Sequence, residues 1–370
     1  MDKIKENTKD KKPDKVEDKI TVLVPNDALD SIVRATMAAI NAREDSPCRV
    51  IIAGPGEGAR GGVEAPAISS KISPKAIRAY RRIMREHGVK VTFTPSTSGL
   101  SNMLFASLFM GVSNLAYRGT QHRVHKSDPF NWLAILNPRV KHVLCETKDI
   151  EEHLATLIRP SKLSCLPKPF ELEWVEDALK NPIPVPSQEG SKLRLITIGM
   201  FKGRPFKGLK PLLQAMKMVG DLPVTLTVVG SADDEDIASA LKSVTFVGPQ
   251  KGATHYIPGH DLYMLTSTRD ASPRTVREAL ACGVPCVVSD IPGARDLISP
   301  GECGVYCRPG DAESIAACIR DFYDHPDKLQ AMSGQVSREH IANFSDMASY
   351  VQHHIDLFTE YGRKKQHKNI

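Results

Sequence analysis

Two carboxylates, Asp270 and Glu278, stand eight residues apart and bracket a Ser272-Pro273 step. A carboxylate accepts hydrogen bonds from two neighbouring hydroxyls, so either residue suits a ribose diol or the vicinal hydroxyls of a sugar. Taken alone, the pair also suits a loop anchor and a surface helix residue. The residues between and beyond them are punctuated as a helix. Ser272 is placed to cap its start, Pro273 to occupy the first helical position and Gly283 to stop it in a left-handed conformation. The start of such a helix offers free backbone N–H groups and the positive end of a dipole, which fits an anion such as a diphosphate.

The elements that must position this segment alternate between strand and helix. Apolar runs over 20–25, 50–53, 89–94, 112–117 and 140–146 read as buried strands, with helices expected over 29–42, 73–85, 100–109 and 150–158. A proline-rich stretch, 181–191, breaks the pattern and reads as a linker. The alternation then restarts, with strands over 193–198, 224–229, 244–247, 262–265 and 285–289 and helices over 209–219, 237–241, 312–323 and much of 345–361. This is the pattern of an α/β protein with two doubly wound, Rossmann-like domains facing a cleft. The expected division is a charged tail over 1–18, a domain over 19–180, the linker, a second domain over 192–345, and a C-terminal helix and basic tail over 346–370 that packs back on the first domain. Ligands of such sheets bind at the carboxyl ends of strands, beside helix N-termini.

Composition narrows the class. The chain has 370 residues, 41% of them hydrophobic and 25% charged, with a net charge of +6. That is the balance of a water-soluble globular protein, without a span of apolar residues long enough for a bilayer or an apolar signal region at the start. A cytoplasmic location is expected, with peripheral contact to the inner face of the membrane. The positive charge is concentrated between Lys71 and Lys90, where seven Lys or Arg meet one acid, Glu86. A helix there has an apolar stripe (Ile77, Tyr80, Met84) opposite a basic face of Arg78, Arg81, Arg82 and Arg85. Such a face is a solvated surface or a contact for anionic lipid headgroups. Nucleic acid is disfavoured because no aromatic residues are interleaved with the charges. Eight cysteines are scattered, several within apolar runs, and the Cys282/Cys286 and Cys303/Cys307 pairs lack the knuckle spacing of a metal site. Packing in a reducing compartment is the expectation. The glycine-rich stretch 54–62 lacks the Gly-Lys-Ser/Thr ending of a phosphate loop and reads as a flexible loop.

The segment Asp270-x7-Glu278, followed by Ala279-Leu280-Ala281-Cys282-Gly283-Val284-Pro285-Cys286-Val287-Val288, resembles the signature of family 4 glycosyltransferases. These are retaining enzymes of the GT-B fold, with Glu-x7-Glu and then Ala-x-Ala-x-Gly-x-Pro-Val-Val. The likeness continues through Gly293 and Gly304 to Arg308-Pro309-Gly310-Asp311 and covers most of 192–345. It implies that Glu278 holds the nucleotide ribose, that Asp270 holds hydroxyls of the donor sugar, and that the backbone over Ser272, Pro273, Arg274 and Thr275 faces the diphosphate. The family's Gly-Arg-(x)4-Lys-Gly loop is matched by Gly199 and by Lys207-Gly208. Met200 stands at the arginine position and the loop is two residues longer, so either Arg204 or Lys202 takes over that charge. Family members often place a histidine near the donor sugar, in a loop after a strand; His122, with Arg118 second, is the candidate here, and the same loop also reads as a plain surface loop.

By this resemblance the chain is a retaining hexosyltransferase that uses a UDP- or GDP-linked sugar without a metal cofactor. Its acceptor would be a lipopolysaccharide, capsule or lipid-linked glycan. Asp270 is one methylene shorter than the usual Glu, Ala271-Ser272-Pro273 replaces Gly-Phe-Gly, and Arg274 is an added cation. Two other readings share the architecture: a sugar-nucleotide epimerase or phosphorylase, and a binding subunit that turns nothing over.

Overall fold

The computed structural model describes residues 19–120, 124–184, 191–270, 272–295, 297–342 and 346–364. The expected tail over 1–18, most of the linker and His122 lie outside the described residues. The described residues fall into two compact units, one drawn from 1–94, 98–115 and 351–370 and one from 95–97 and 116–350.

Seven strands form the first sheet: β1 (Ile20–Pro25), β2 (Cys48–Gly54), β3 (Val63–Glu64), β4 (Val91–Thr94), β5 (Ser113–Arg118), β6 (Val140–Cys145) and β7 (Leu163–Cys165). Their order is β3-β2-β1-β4-β5-β6-β7, so the strand order reverses at β1. All six residues of β1 are buried, as a strand covered on both faces requires. In the first unit Leu23 and Ile51 pack with Tyr80 and Met84 of the Pro74–Glu86 helix and with Met103 of the Thr97–Ala106 helix. The Met347–Arg363 helix reaches the same unit: Phe358 meets Phe93 edge-on at 5.4 Å, and the Ser113 hydroxyl donates to the Tyr361 carbonyl at 2.9 Å.

Two expectations shift in this unit. The helix expected over 100–109 runs instead from Thr97 to Ala106, after which the chain turns through Phe109 (φ 61°) and Gly111 (φ 67°). The loop over 54–62, read from its glycines as flexible, is anchored. Glu57 in its middle is 1% exposed and holds Arg34 and Asn26.

The second sheet is built from β8 (Leu193–Ile198), β9 (Val224–Val229), β10 (Val244–Gly248), β11 (Leu262–Leu265), β12 (Cys286–Ser289) and β13 (Gly304–Cys307). Its order is β10-β9-β8-β11-β12-β13, and each adjacent pair is parallel. Successive residues of a strand point to opposite faces, and here both faces are covered. Leu195, Leu262 and Met264 pack beneath the Leu209–Met218 and Ala312–Asp324 helices. Ile196, Tyr263 and Leu265 pack against Val276 and Leu280 of the Arg274–Ala281 helix. Each fully buried side chain of this size contributes about 1.5–3 kcal/mol. The strand order reverses between β8 and β11, and the carboxyl ends of those two strands are the topological switch point. Cys286 and Cys303 belong to this core, and burial pushes the Cys282 and Cys307 thiols up to about 12. Among the described residues no helix is long and apolar enough to cross a membrane.

Candidate functional site

A pocket of about 190 Å³ opens at the switch point of the second sheet. Its floor is the end of β8 with Gly199 and the end of β11 with Thr266 and Ser267. Its walls are Lys207, Asp270 and the run Ser272, Pro273, Arg274 and Thr275.

Two glycines allow the walls to come this close. Gly208 has a φ of 74°, and a Cβ on it would lie 1.9 Å from the Thr266 carbonyl oxygen. The Thr266 hydroxyl donates back to the Gly208 carbonyl at 2.9 Å. Only glycine adopts this turn against that strand end. Beside it, Gly230 (φ 127°) leaves no room for a Cβ next to the Gly199 carbonyl. The Thr268 N–H donates to the Phe206 carbonyl at 2.8 Å, and the Arg269 guanidinium stacks 4.8 Å from the Phe206 ring. These contacts bring Lys207 and Asp270, far apart in sequence, into an ion pair of 2.6 Å. Both side chains keep some exposure, 25% and 17%, so the pair faces the pocket and is not sealed in the core.

The helix that follows starts one residue later than its sequence suggests. It runs from Arg274 to Ala281, with Pro273 at the cap position and no side chain capping its first turn. Ser272, expected to cap it, instead accepts a hydrogen bond from the Arg277 guanidinium, which also donates to the Lys168 carbonyl at 2.9 Å. The guanidinium therefore competes successfully for the hydroxyl that local propensity assigns to the backbone. Its first turn contains no acid and carries Arg274 and Arg277, placing cations where the helix dipole disfavours them. An anion lodged there offsets that repulsion. The expected stop is as read: Gly283 has a φ of 80°, and its N–H and that of Val284 close the end onto Leu280 and Ala279.

Glu278 lies one turn inside the helix, with its side chain 12% exposed. Burial raises its carboxyl above the usual carboxylate range, against the opposing pull of the Arg274 cation and of hydrogen bonds from Thr254 and Arg274. Arg274 Nε lies 2.9 Å from Glu278, and the same guanidinium sits 5.4 Å from the centre of the Trp174 ring. Thr275 is fixed from below, where the buried Tyr263 hydroxyl donates to its hydroxyl at 2.6 Å.

The structure thus brings together Gly199, Lys207, Asp270, Ser272, Pro273, Arg274 and Thr275, with Glu278 paired to Arg274 at the side. Lys202 and Arg204 line a neighbouring pocket of about 410 Å³, together with Asp233, Asp234, Glu235 and Asp236. The turn that carries them is held by the Gly203 N–H on the Asp233 carboxylate at 3.2 Å. Arg118 ends β5, half-buried, with burial lowering its pKa and with its carbonyl accepting the Glu146 N–H. His122 lies outside the described residues.

Sequence reasoning missed the supports of the pocket: Tyr263, Arg277, Trp174 and Thr254. It also missed a buried group nearby in the chain's second unit, where the Glu146 carboxylate accepts from Tyr117 at 2.7 Å and meets Lys168 at 3.3 Å. Tyr263 and Arg277 sit within an apolar strand and a helix, where nothing local marks them. Glu146 had only its position at a strand end as a signal.

Comparison with known proteins bears on the segment that builds the pocket. Residues 192–325 match a family model described as glycosyl transferases group 1. Among curated relatives, the N-acetyl-alpha-D-glucosaminyl L-malate synthase of Bacillus anthracis is 28% identical over 160 residues, 41% of this chain and 42% of that protein. The lipopolysaccharide 1,6-galactosyltransferase of Salmonella typhimurium is 37% identical over 78 residues, 21% of this chain and 19% of that protein. The chain thus spans less than half the length of these two relatives. Among solved structures, HepE of Anabaena in complex with UDP superposes with a TM-score of 0.73 at 15% identity, covering 92% of this chain and 100% of that one. The family match thus falls on the second sheet and its helices, where the sequence resembles a glycosyltransferase, and the fold is GT-B, with two Rossmann-like parallel sheets.

Proposed function

We propose that this protein is a glycosyltransferase that moves a sugar from a nucleoside diphosphate to a glycan. Residues 19–180 would serve the acceptor and residues 192–345 the donor. The observation that carries this reading is the Lys207–Asp270 pair of 2.6 Å in a pocket beneath an uncapped helix start that holds two arginines. A ligand with adjacent hydroxyls and a diphosphate satisfies both partners at once: the carboxylate takes the hydroxyls and the ammonium takes the phosphate oxygens.

The reaction breaks the bond between the anomeric carbon and the phosphate oxygen, and the electron pair leaves with the diphosphate. Lys207 and the backbone N–H groups at Arg274 and Thr275 stabilise that growing charge, and one such donor is worth about 10²–10³ in rate. Glu278, released from Arg274, accepts the ribose hydroxyls, and Arg274 is then free to join Lys207 at the diphosphate. Retention at the anomeric carbon and independence of metal follow from the family resemblance. UDP is the first nucleotide to try, since HepE binds it, with GDP second. A lipopolysaccharide, capsule or lipid-linked acceptor, met on the cytoplasmic face of the membrane, is supported by the exposed arginines of the Pro74–Glu86 helix.

One observation favours a second reading. Met200 takes the usual arginine position, and Lys202 and Arg204 line the neighbouring pocket. A site short of one cation would bind the donor and not turn it over. Thermal shifts with UDP, GDP and ADP and their sugar conjugates, without metal, followed by an assay for nucleotide release, separate the cases. A rise with one diphosphate, lost in Glu278→Ala, together with nucleotide release supports the transferase. A rise without release supports the binding subunit, and no rise with any of them sinks both.

A further inference from the structure

We propose that the turn carrying Phe109 and the exposed edge of the Pro74–Glu86 helix form one lipid-docking surface. Phe109 would enter the apolar boundary of the bilayer while Arg78, Arg82 and Arg85 hold anionic headgroups. This deepens the membrane contact named in the proposed function by giving it an apolar anchor, and it can be tested without any nucleotide or acceptor.

Phe109 is fully exposed, at 100%. It is also held at a φ of 61°, a conformation that a bulky residue rarely adopts and that glycine adopts freely. Folding alone gains nothing from an aromatic ring there, since the ring makes no use of the core. The turn is not a loose end. Arg81 Nη1 donates to the carbonyls of Ala106 and Leu108, each at 3.0 Å, and ties the turn to the middle of the helix. Met110, the next residue, packs partly against the cluster that contains Tyr80 and Met84. The ring is therefore presented outward from a fixed base.

The same contact corrects the basic face read from the sequence. Arg81 is half-buried and its guanidinium serves the turn, so it is a positioning residue and not a headgroup ligand. Arg78, Arg82 and Arg85 remain exposed, at helical spacings that put them along one edge. The only acid on the helix is Glu86, 3.7 Å from Arg82 across the surface, with both side chains more than half exposed.

A single outward ring flanked by cations matches the boundary of an anionic membrane, where apolar tails lie just beneath phosphate groups. A protein partner would call for a broader apolar pad. Lipid attraction has two parts that respond differently to salt: the arginines act through charge and are screened, whereas the ring acts through apolar burial and is not.

The test is flotation of the full chain with phosphatidylcholine vesicles, with and without phosphatidylglycerol, at low and high salt. Wild-type protein should bind only the phosphatidylglycerol vesicles. Phe109→Gly suits the left-handed turn and so preserves the fold, and it should lower binding about tenfold at either salt. Arg78→Glu/Arg82→Glu/Arg85→Glu should lower binding roughly 10²-fold at low salt and far less at high salt. Phe109→Trp should keep binding and shift its emission to the blue when vesicles are added. Wild-type failure to bind any vesicle, or unchanged binding by Phe109→Gly, overturns the proposal. So does a change in oligomeric size on Phe109→Gly, which would make the turn a protein contact.

Discussion

Each sheet reverses its strand order beside an early strand, β1 in one and β8 in the other, and near each reversal stands a glutamate paired with an arginine, Glu57 buried and Glu278 partly so. The two pairs are set in opposite senses. Glu57 receives two hydrogen bonds from Arg34, at 2.9 and 3.0 Å, and another from Asn26 at 2.5 Å. The bond from Arg34 is the main reason its carboxyl is held below the usual range. Glu278 has one guanidinium contact, from Arg274 at 2.9 Å, and burial dominates, so its carboxyl is raised. A carboxylate saturated by fixed donors is a tie within the fold. One that is desolvated faster than it is paired is held ready for further donors, such as the hydroxyls of a ligand.

This contrast can be broken at three points. The largest effect is expected at the ion pair of the pocket: if the proposed transfer occurs there, Lys207→Ala should lower its rate about 10²–10³-fold. Its thermal midpoint should hardly move, because the side chain is partly exposed. Retained activity would reduce the Lys207–Asp270 pair to a loop tie.

Next comes Glu57→Ala, which should cost about 2–3 kcal/mol in urea unfolding. That is less than the 3–5 kcal/mol of a fully buried pair, because Arg34 is about a third exposed. Its pH dependence has a definite sign. A carboxyl lowered in the folded state stabilises above its ordinary pKa of about 4.3, and that contribution is lost as pH falls through the folded value. Wild-type protein should therefore lose more stability than Glu57→Gln between pH 7 and pH 3. An equal loss in both would show that the Arg34 contact does not reach the folding equilibrium.

The smallest effect tests the opposite sense. A carboxyl raised in the folded state gives stability that fades as pH rises through the interval between its ordinary and folded values. At neutral pH the buried Glu278 is thus a cost, and Glu278→Gln should leave stability unchanged or slightly higher. Nucleotide affinity, measured by calorimetry, should fall about tenfold. A clear drop in stability at pH 7 would make Glu278 a second Glu57.

Much of the scaffold was legible. The bounds of β1, β8, β9 and β11 are those read from the sequence, because each is a short run dominated by apolar and β-branched residues and followed by glycine or a polar residue. β3 and β7, of two and three residues, carry too short a pattern to see. Asp270 and Glu278 were marked in the sequence by residue type and spacing, and Lys207 by the family resemblance. Their pairings were not, since Lys207 reaches Asp270 only through the meeting of Gly208 with Thr266, and Glu278 turns to Arg274. Ser272 shows the limit of local rules: its capping propensity is real, but a guanidinium one turn ahead claims the hydroxyl. Tyr263 reads as one more core residue of β11, and only the fold shows that its hydroxyl seats Thr275.

The close approach of Gly208 to Thr266 also has a consequence for heredity. Every single-base change in a glycine codon that alters the amino acid introduces a Cβ, and a Cβ here would lie 1.9 Å from a backbone oxygen. The lysine beside it can drift to arginine or another cation by small steps. Gly208 has no neighbouring state to drift to, so its codon is an island in mutational space, and variation in the pocket must arise around it.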